Sequence, residues 1–406
     1  MKAIVISAHG GPEVLTVTEL PDPVAATGEV LIRVKAFGLN HAEAYMRSGA
    51  WGQVAAVPGI ECAGLVEADP SGELPVGTKV VAILGGMGRT RNGSYAELVT
   101  VPATNVVAVN SRLPWADLAA VPEVYATAYS ALHGNLALKA GETLLVRGAT
   151  SSLGQAAVNL AVHQGATVLA TTRNPAHAPL LKELGASDVL IDDGRLAAEV
   201  ERRGLSVDAL LDIVGNTVLR DSLSTVGPRG RVCQIGFLGG FSPVADFDPI
   251  ADLPSGVQLS FFGSAFVLGT PAFPLSGVPL DEIYVQVEAG GLRARPTRIF
   301  RFDEIVEAHR VMEAGQAQGK DGRRSRLTRP HHRVRKPAAP PQGPAPHRRP
   351  HPPSTPPSAP RDRSGSLGEL CGPGPCGGPG PLGCYAARAA RPGARRRPEE
   401  PWSSRP

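Results

Sequence analysis

The chain has 406 residues, 42% of them hydrophobic, which suffices for two or more domains with sizeable cores. Its net charge of +4 hides two unlike parts: residues 1–320 hold 24 Lys+Arg against 32 Asp+Glu, and residues 321–406 hold 17 against 5. The body is therefore mildly acidic, and the positive total is no argument that it binds nucleic acid. Only Cys62 and Cys233 fall in the body, which excludes a disulfide scaffold and points to a reducing, cytoplasmic setting. The start, "MKAIVISAHGGPEVL", lacks the apolar core of a signal peptide, and no apolar run reaches the ~18 residues that cross a bilayer. A soluble protein with no membrane partner is expected.

In chain order, residues 1–123 predict short strands: "KAIVIS", "EVLIRVKAFG", "KVVAIL" and "SYAELVTV", cut by Gly, Pro and Asp turns. From Pro122 the texture becomes an alternation of helix and strand. "VYATAYSALHG" predicts a helix, "ETLLVRG" a strand, "SLGQAAVNLAVHQG" a helix and "ATVLATT" a strand. The same alternation runs through "PAHAPLLKELG", "DVLI", "RLAAEVERRG", "VDALLDIVG", "TVLRDSLSTVG" and "RVCQIG". Strands this continuously apolar are buried on both faces, so the fold class is α/β with a doubly wound, Rossmann-type parallel sheet. After Gly236 the pattern predicts a loop, one strand over "VQLSFFGSAFV", and helices near Asp281–Ala289 and Phe302–Ala314.

The turn Gly148–Gly154, spelled G-x-x-S-x-x-G, follows the first strand of that alternation. Dinucleotide-binding turns use a first glycine for the bend, a second for approach of the pyrophosphate, and a third for close packing of helix on strand. Ser151 stands in the middle place; it is small, and its hydroxyl is expected to donate to a phosphate oxygen. A plain strand–helix turn is the rival reading, and the complete βαβ context favours the dinucleotide. At the end of the second strand an NAD enzyme carries an acid for the ribose 2′-hydroxyl. Here Thr171, Thr172, Arg173 and Asn174 occupy that place, so NADPH is the expected cofactor.

The body's two cysteines are isolated and its histidines, His9, His41, His133, His163, His177 and His309, show no ligand spacing. No metal site is expected.

Seven stretches together carry a resemblance: "GGPEVL" (10–15), "FGLNHAEAYMRSG" (37–49), "PGIECAG" (58–64), "GSYAE" (93–97), "ATAYSAL" (126–132), "AGETLLVRGATSSLG" (140–154) and "GRVCQIG" (230–236). Over roughly residues 1–320 the chain resembles the medium-chain dehydrogenase/reductase superfamily, and within it the zinc-free quinone oxidoreductases similar to zeta-crystallin. Zinc-dependent relatives place a Cys at the position of Asn40 and a His-Glu pair at Ile60-Glu61, and carry a four-cysteine lobe that this chain lacks. The resemblance implies a GroES-like catalytic domain over 1–123, completed by about 265–320, and an NADP-binding Rossmann domain over 124–264. It implies that Asn40 and Tyr45 line the catalytic cleft, with Tyr45 beside the nicotinamide as a candidate proton donor; a packing aromatic is the rival role for Tyr45. Thr127 would meet the nicotinamide end. Gly148, Thr150, Ser151, Ser152, Leu153 and Gly154 would form the pyrophosphate turn. Thr172 and Arg173 would serve the 2′-phosphate, and Asn216 the ribose. Backbone contacts along the cofactor would come from Ile235, Gly236, Phe237 and Leu238, and from Phe261, Phe262 and Gly263. A homodimer through the cofactor domain is implied, with "VQLSFFGSAFV" pairing edge to edge with its twin.

The expected function is zinc-independent hydride transfer from NADPH to a quinone or α,β-unsaturated carbonyl, whose conjugation delocalises the developing charge. The alternative is an NADPH-binding structural or sensing protein without turnover. A nucleic-acid binder ranks last, because the basic tail has only Tyr385 and Trp402 as stacking aromatics. Substrate choice is expected in the loops 51–57, 84–92 and 239–253. Residues 321–406 hold 20 of the 39 prolines, too little apolar surface to offset chain entropy, and are expected to be disordered. Their Pro, Arg, Gly and Ala are residues of G+C-rich codons, which suggests a shifted reading frame just after Lys320. A genuine basic arm meeting acidic partners is the rival. The short apolar strand that ends relatives after such a Gly-Lys is expected to be absent.

Overall fold

The computed structural model describes residues 1–315 and the backbone of a strand at 321–324. In the amino-terminal part, β1 (Lys2–Ile6) and β2 (Leu15–Glu19) pair antiparallel, with Lys2 opposite Glu19. A second, five-stranded antiparallel sheet contains β3 (Glu29–Ala36), β4 (Glu61–Ala68), β5 (Lys79–Ile83), β6 (Leu98–Pro102) and β7 (Val106–Ala108), in the order β6-β3-β4-β5-β7. Along β3, Ile32, Val34 and Ala36 go into the core while Arg33 and Lys35 stay half-exposed, the period of two of a half-buried strand. β4 is absent from the strands that the sequence predicts, because Cys62-Ala63-Gly64 has little β-propensity. Pairing with β3 on one side and β5 on the other makes it a strand. Gly64 permits that pairing, since a Cβ there would sit 2.4 Å from the carbonyl oxygen of Arg33.

Helix α1 (His41–Ser48) lies between β3 and β4, and α2 (Trp115–Ala119) and α3 (Pro122–Ser130) lead out of this region. The alternating region follows as β8 (Thr143–Arg147), α4 (Ser152–His163), β9 (Thr167–Thr172), α5 (Ala178–Glu183), β10 (Asp188–Ile191), α6 (Leu196–Arg202), β11 (Ala209–Asp212), α7 (Leu219–Thr225), β12 (Arg231–Gln234), α8 (Pro249–Asp252) and β13 (Gln258–Phe261). The six strands are all parallel, in the order β10-β9-β8-β11-β12-β13. Leu144, Leu145, Val146, Leu210 and Leu211 are fully buried, as strands covered by helices on both faces require. The chain winds outward from β8 to β10, then returns to β11 and winds the other way. The carboxyl ends of β8 and β11 therefore border the crevice where open α/β sheets bind ligands.

Two expectations are corrected. "VQLSFFGSAFV" is not one strand: β13 stops at Phe261, opposite Gln234, where its partner β12 also stops, and α9 (Ser264–Val267) follows after Gly263. A ladder extends only as far as both strands do, and Phe266 N–H bonds Gly263 O to close a turn instead. The chain continues through α10 (Leu280–Ala289), ended by Gly290 at φ +79°, then β14 (Arg298–Arg301) and α11 (Ile305–Glu313). Second, a strand does follow Lys320: β15 (Asp321–Arg324) pairs parallel with β14, Arg298 opposite Asp321. Strand pairing is a backbone interaction, so a polar sequence at a free edge can still complete it. The Pro/Arg-rich segment beyond, with the disorder and shifted frame expected of it, lies outside the described residues.

Candidate functional site

At the carboxyl end of β8 the chain reverses through Gly148 at φ +86°, a left-handed conformation that favours glycine. Gly154 lies in the first turn of α4 so close to β8 that a Cβ would come 2.5 Å from the carbonyl oxygen of Gly148. The first and third glycines thus have the steric duties that the motif assigns. Ser151 Oγ donates to Gly148 O at 2.8 Å and accepts from Gly154 N at 3.1 Å, which makes it the N-cap of α4. What remains for an anion is the amino end of a 12-residue helix, with the backbone N–H groups and dipole that such ends present.

A cleft of about 470 Å³ opens beside this turn. Thr150, Ser151, Ser152 and Leu153 line its middle, and Ile235, Gly236, Phe237 and Leu238 line one wall. From the β-rich part, Asn40 and Tyr45 line the opposite wall. Asn40 begins α1, and its backbone N–H donates to Glu43 Oε2 at 2.7 Å, the reciprocal half of a capping box. Its Nδ2 donates to Glu61 Oε1 at 3.1 Å, so the amide is fixed by two elements. Tyr45, one turn along α1, donates its hydroxyl to the carbonyl of Phe237 at 3.3 Å across the cleft. Phe241 packs edge-on against its ring at 4.7 Å, and burial pushes its phenol above the ordinary value.

A second hollow of about 480 Å³ continues the first, with Thr150, Arg173 and Leu238 lining both. Gly148, Thr172, Asp192 and Asp193 also line it. Thr172 Oγ1 is occupied by its own turn, accepting from Asn174 N and donating to Asn174 O at 3.1 Å each. Arg173 is exposed and makes no ion pair among the described residues.

Other expected contacts lie outside both hollows. Thr127 is buried in α3, where its hydroxyl donates to Glu123 Oε1 at 3.1 Å; Glu123 itself lines the cleft. Asn216 donates to Ser242 O and accepts from Gln234 Nε2, holding the loop after β11 to the one after β12. Phe261 is exposed at the end of the edge strand, Phe262 is buried, and Gly263 leads into α9. Sequence reasoning missed the carboxylates behind Asn40. Glu43 also accepts from Ile60 N at 3.1 Å, and Glu61 from Glu123 N at 2.8 Å, so acids on three elements brace this end of the cleft. The Asn40-x-x-Glu43 spacing is the signal that points to the first of them. Among the described residues no group of three His, Cys, Asp or Glu is placed to hold a metal ion.

Residues 26–111 match the family profile described as alcohol dehydrogenase GroES-like domain, and residues 184–320 that described as zinc-binding dehydrogenase. The quinone oxidoreductase of Homo sapiens is 30% identical over 334 residues, covering 79% of this chain and 96% of the relative. The chain belongs to the medium-chain dehydrogenase/reductase superfamily, in its zeta-crystallin-like quinone oxidoreductase family. A 2-haloacrylate reductase from a Burkholderia species is 29% identical over 336 residues, covering 78% and 97% of the two chains. Among solved structures, the quinone oxidoreductase of Pseudomonas syringae pv. tomato DC3000 superposes with a TM-score of 0.71 at 26% identity, and a mycobacterial protein in complex with NADPH with 0.70 at 28%. Each covers 80% of this chain and 99% of its own. This medium-chain oxidoreductase thus combines a nicotinamide-dinucleotide fold with a cleft lined by Asn40, Tyr45 and Ile60.

Proposed function

We propose that the protein is an NADPH-dependent reductase of quinones or α,β-unsaturated carbonyls. The observation that carries this reading is the continuity of the two hollows, which join Asn40 and Tyr45 to the Ser151–Leu153 turn and then to Arg173, which has no ion pair among the described residues. The bend at Gly148, the close approach at Gly154 and the open amino end of α4 fit a pyrophosphate, so the residues present suit the dinucleotide. When bound, the nicotinamide supplies a hydride. The chain's own part is to hold the two reactants together, keep water from the apolar wall of Ile235 and Phe237, and place a proton at Tyr45 Oη. Asn40, fixed by Glu61, orients the substrate's polar end. A conjugated acceptor spreads its own developing charge, which suits a cleft whose reacting end offers the Asn40 amide and the Tyr45 hydroxyl, with carboxylates braced behind them.

Residues 1–123 with about 265–320 form the catalytic part in this reading and 124–264 the NADP-binding part, in a cytoplasmic homodimer. No helix among the described residues is long and apolar enough to cross a membrane. Arg173 is assigned to the 2′-phosphate. A charge-assisted hydrogen bond of this kind contributes ~1.5–3 kcal/mol, or roughly ten- to a hundredfold in affinity. Titration with each cofactor tests the assignment: Arg173→Ala is expected to weaken NADPH by that factor and leave NADH nearly unchanged. Equal losses for both would remove it.

A further inference from the structure

The adenosine-side hollow holds two carboxylates as well as Arg173. Asp192 and Asp193 both line it, and an acid beside a doubly charged phosphate ester repels it. Both acids are already engaged. Asp193 pairs with Arg195 at 2.7 Å in a solvent-exposed contact, where water screens what charge remains. Asp192 is different: its side chain is 8% exposed, and it receives two parallel hydrogen bonds from Arg147, Nε to Oδ2 and Nη2 to Oδ1, each 2.8 Å. This is the fork-to-carboxylate geometry that only arginine makes.

Arg147 is the last residue of β8, immediately before the Gly148 bend, and is fully buried. Its Nη1 lies 2.8 Å from Asp221 and donates to Ser222 Oγ at 2.9 Å, and the Ser222 hydroxyl in turn donates to Asp212 Oδ2 at 2.7 Å. Burial works against the guanidinium charge, but the hydrogen bond with Asp192 and the charges of Asp192, Asp221 and Asp212 outweigh it. A buried arginine among acids is also a common structural device, and that reading predicts no selectivity between ligands. The placement says more. Arg147 lines neither hollow, yet its two bonds hold the less exposed of the two acids that line the second hollow with Arg173.

We propose that Arg147 is a positioning residue for cofactor choice: by fixing and neutralising Asp192 it allows a 2′-phosphate to sit beside Arg173. This rests on the reading that the second hollow takes the adenosine end of NADPH. Under it, the local charge is set by Arg147, Asp192 and Asp221 together, and selectivity for a 2′-phosphate rises as that sum becomes less negative.

The test uses the full chain and two fragments, 2′,5′-ADP and 5′-AMP, with affinities measured by calorimetry and no turnover involved. Arg147→Gln keeps hydrogen-bond donors and removes the charge; the preference for 2′,5′-ADP over 5′-AMP is expected to fall roughly five- to tenfold. Asp192→Asn removes the acid and is expected to raise the same ratio. The double variant restores the local charge and should return the ratio to near that of the unaltered chain. Asp192→Asn leaves Arg147 with Asp221, so that arm decides even where Arg147→Gln does not fold. One ratio across all variants overturns the proposal, as does a parallel loss of both fragments, which would mark a structural role. Equal binding of the two fragments by the unaltered chain overturns the NADPH reading by itself, and the ranking of the variants still decides the role of Arg147.

Discussion

Tyr45 shows two effects acting on one proton. Burial disfavours the phenolate, and the hydroxyl already donates across the cleft to Phe237 O, so the phenol stays protonated through the physiological range. Because the shift is upward, a rate that depends on this proton should hold through the neutral range and fall only as pH approaches the raised value, later than for an ordinary phenol. Tyr45→Phe keeps the packing against Phe241 and removes the proton. The expected result is a loss of about a hundredfold in kcat with little change in KM, as for removal of a general acid. An unchanged kcat would reduce Tyr45 to a packing aromatic. The serine at the centre of the turn carries a lesson at the same scale. Its type and place were readable in the sequence, but which groups its hydroxyl reaches is decided by the backbone at Gly148 and Gly154.

The turn and α4 form an element whose geometry depends on Gly154. Adding a methyl there pushes against Gly148 O and Ala149 Cα at 2.5 and 2.6 Å, both backbone atoms that cannot swing away. Gly154→Ala should therefore cost ~1–3 kcal/mol, seen as a lower Tm, and should weaken both cofactors alike because it moves the pyrophosphate turn. The parallel strands were legible from their unbroken apolar runs, and the helices from small-residue spacing ended by glycine. β4 was not legible, since its residues are poor strand formers that two neighbours recruit. The apolar run extends past the end of β13 for a similar reason: sequence shows where apolar residues run, whereas ladder length is set by the partner strand. The edge that β13 leaves is exposed at Leu259 (38%) and Phe261 (52%), an apolar edge of the kind that invites pairing. A homodimer through this edge is expected, and Phe261→Glu should give monomers by light scattering. A monomeric unaltered chain at micromolar concentration would count against it.

For the whole molecule, the sequence located the cleft by bringing stretches from 37–49, 140–154 and 230–236 into one expectation, and the structure gathers Asn40, Tyr45, Ser151–Leu153, Arg173 and Ile235–Leu238 around it. It did not join Glu61 and Glu123 to Asn40, or Arg147 to Asp192, because those contacts link elements that are distant in the chain, whereas Glu43 follows the local capping-box spacing from Asn40. The choice of substrate is expected to lie in the loops 51–57, 84–92 and 239–253. Tyr45–Trp51 and Tyr45–Phe241 ring contacts at 6.4 and 4.7 Å tie two of them to the cleft wall. The account as a whole is tested most directly by following NADPH absorbance with the purified chain, a panel of quinones and enones, and excess chelator. It predicts NADPH consumption that needs a conjugated acceptor, is unaffected by chelation, and is slower with NADH. Tight binding of NADPH with no consumption for any acceptor, or activity lost together with a stoichiometric metal, would contradict it.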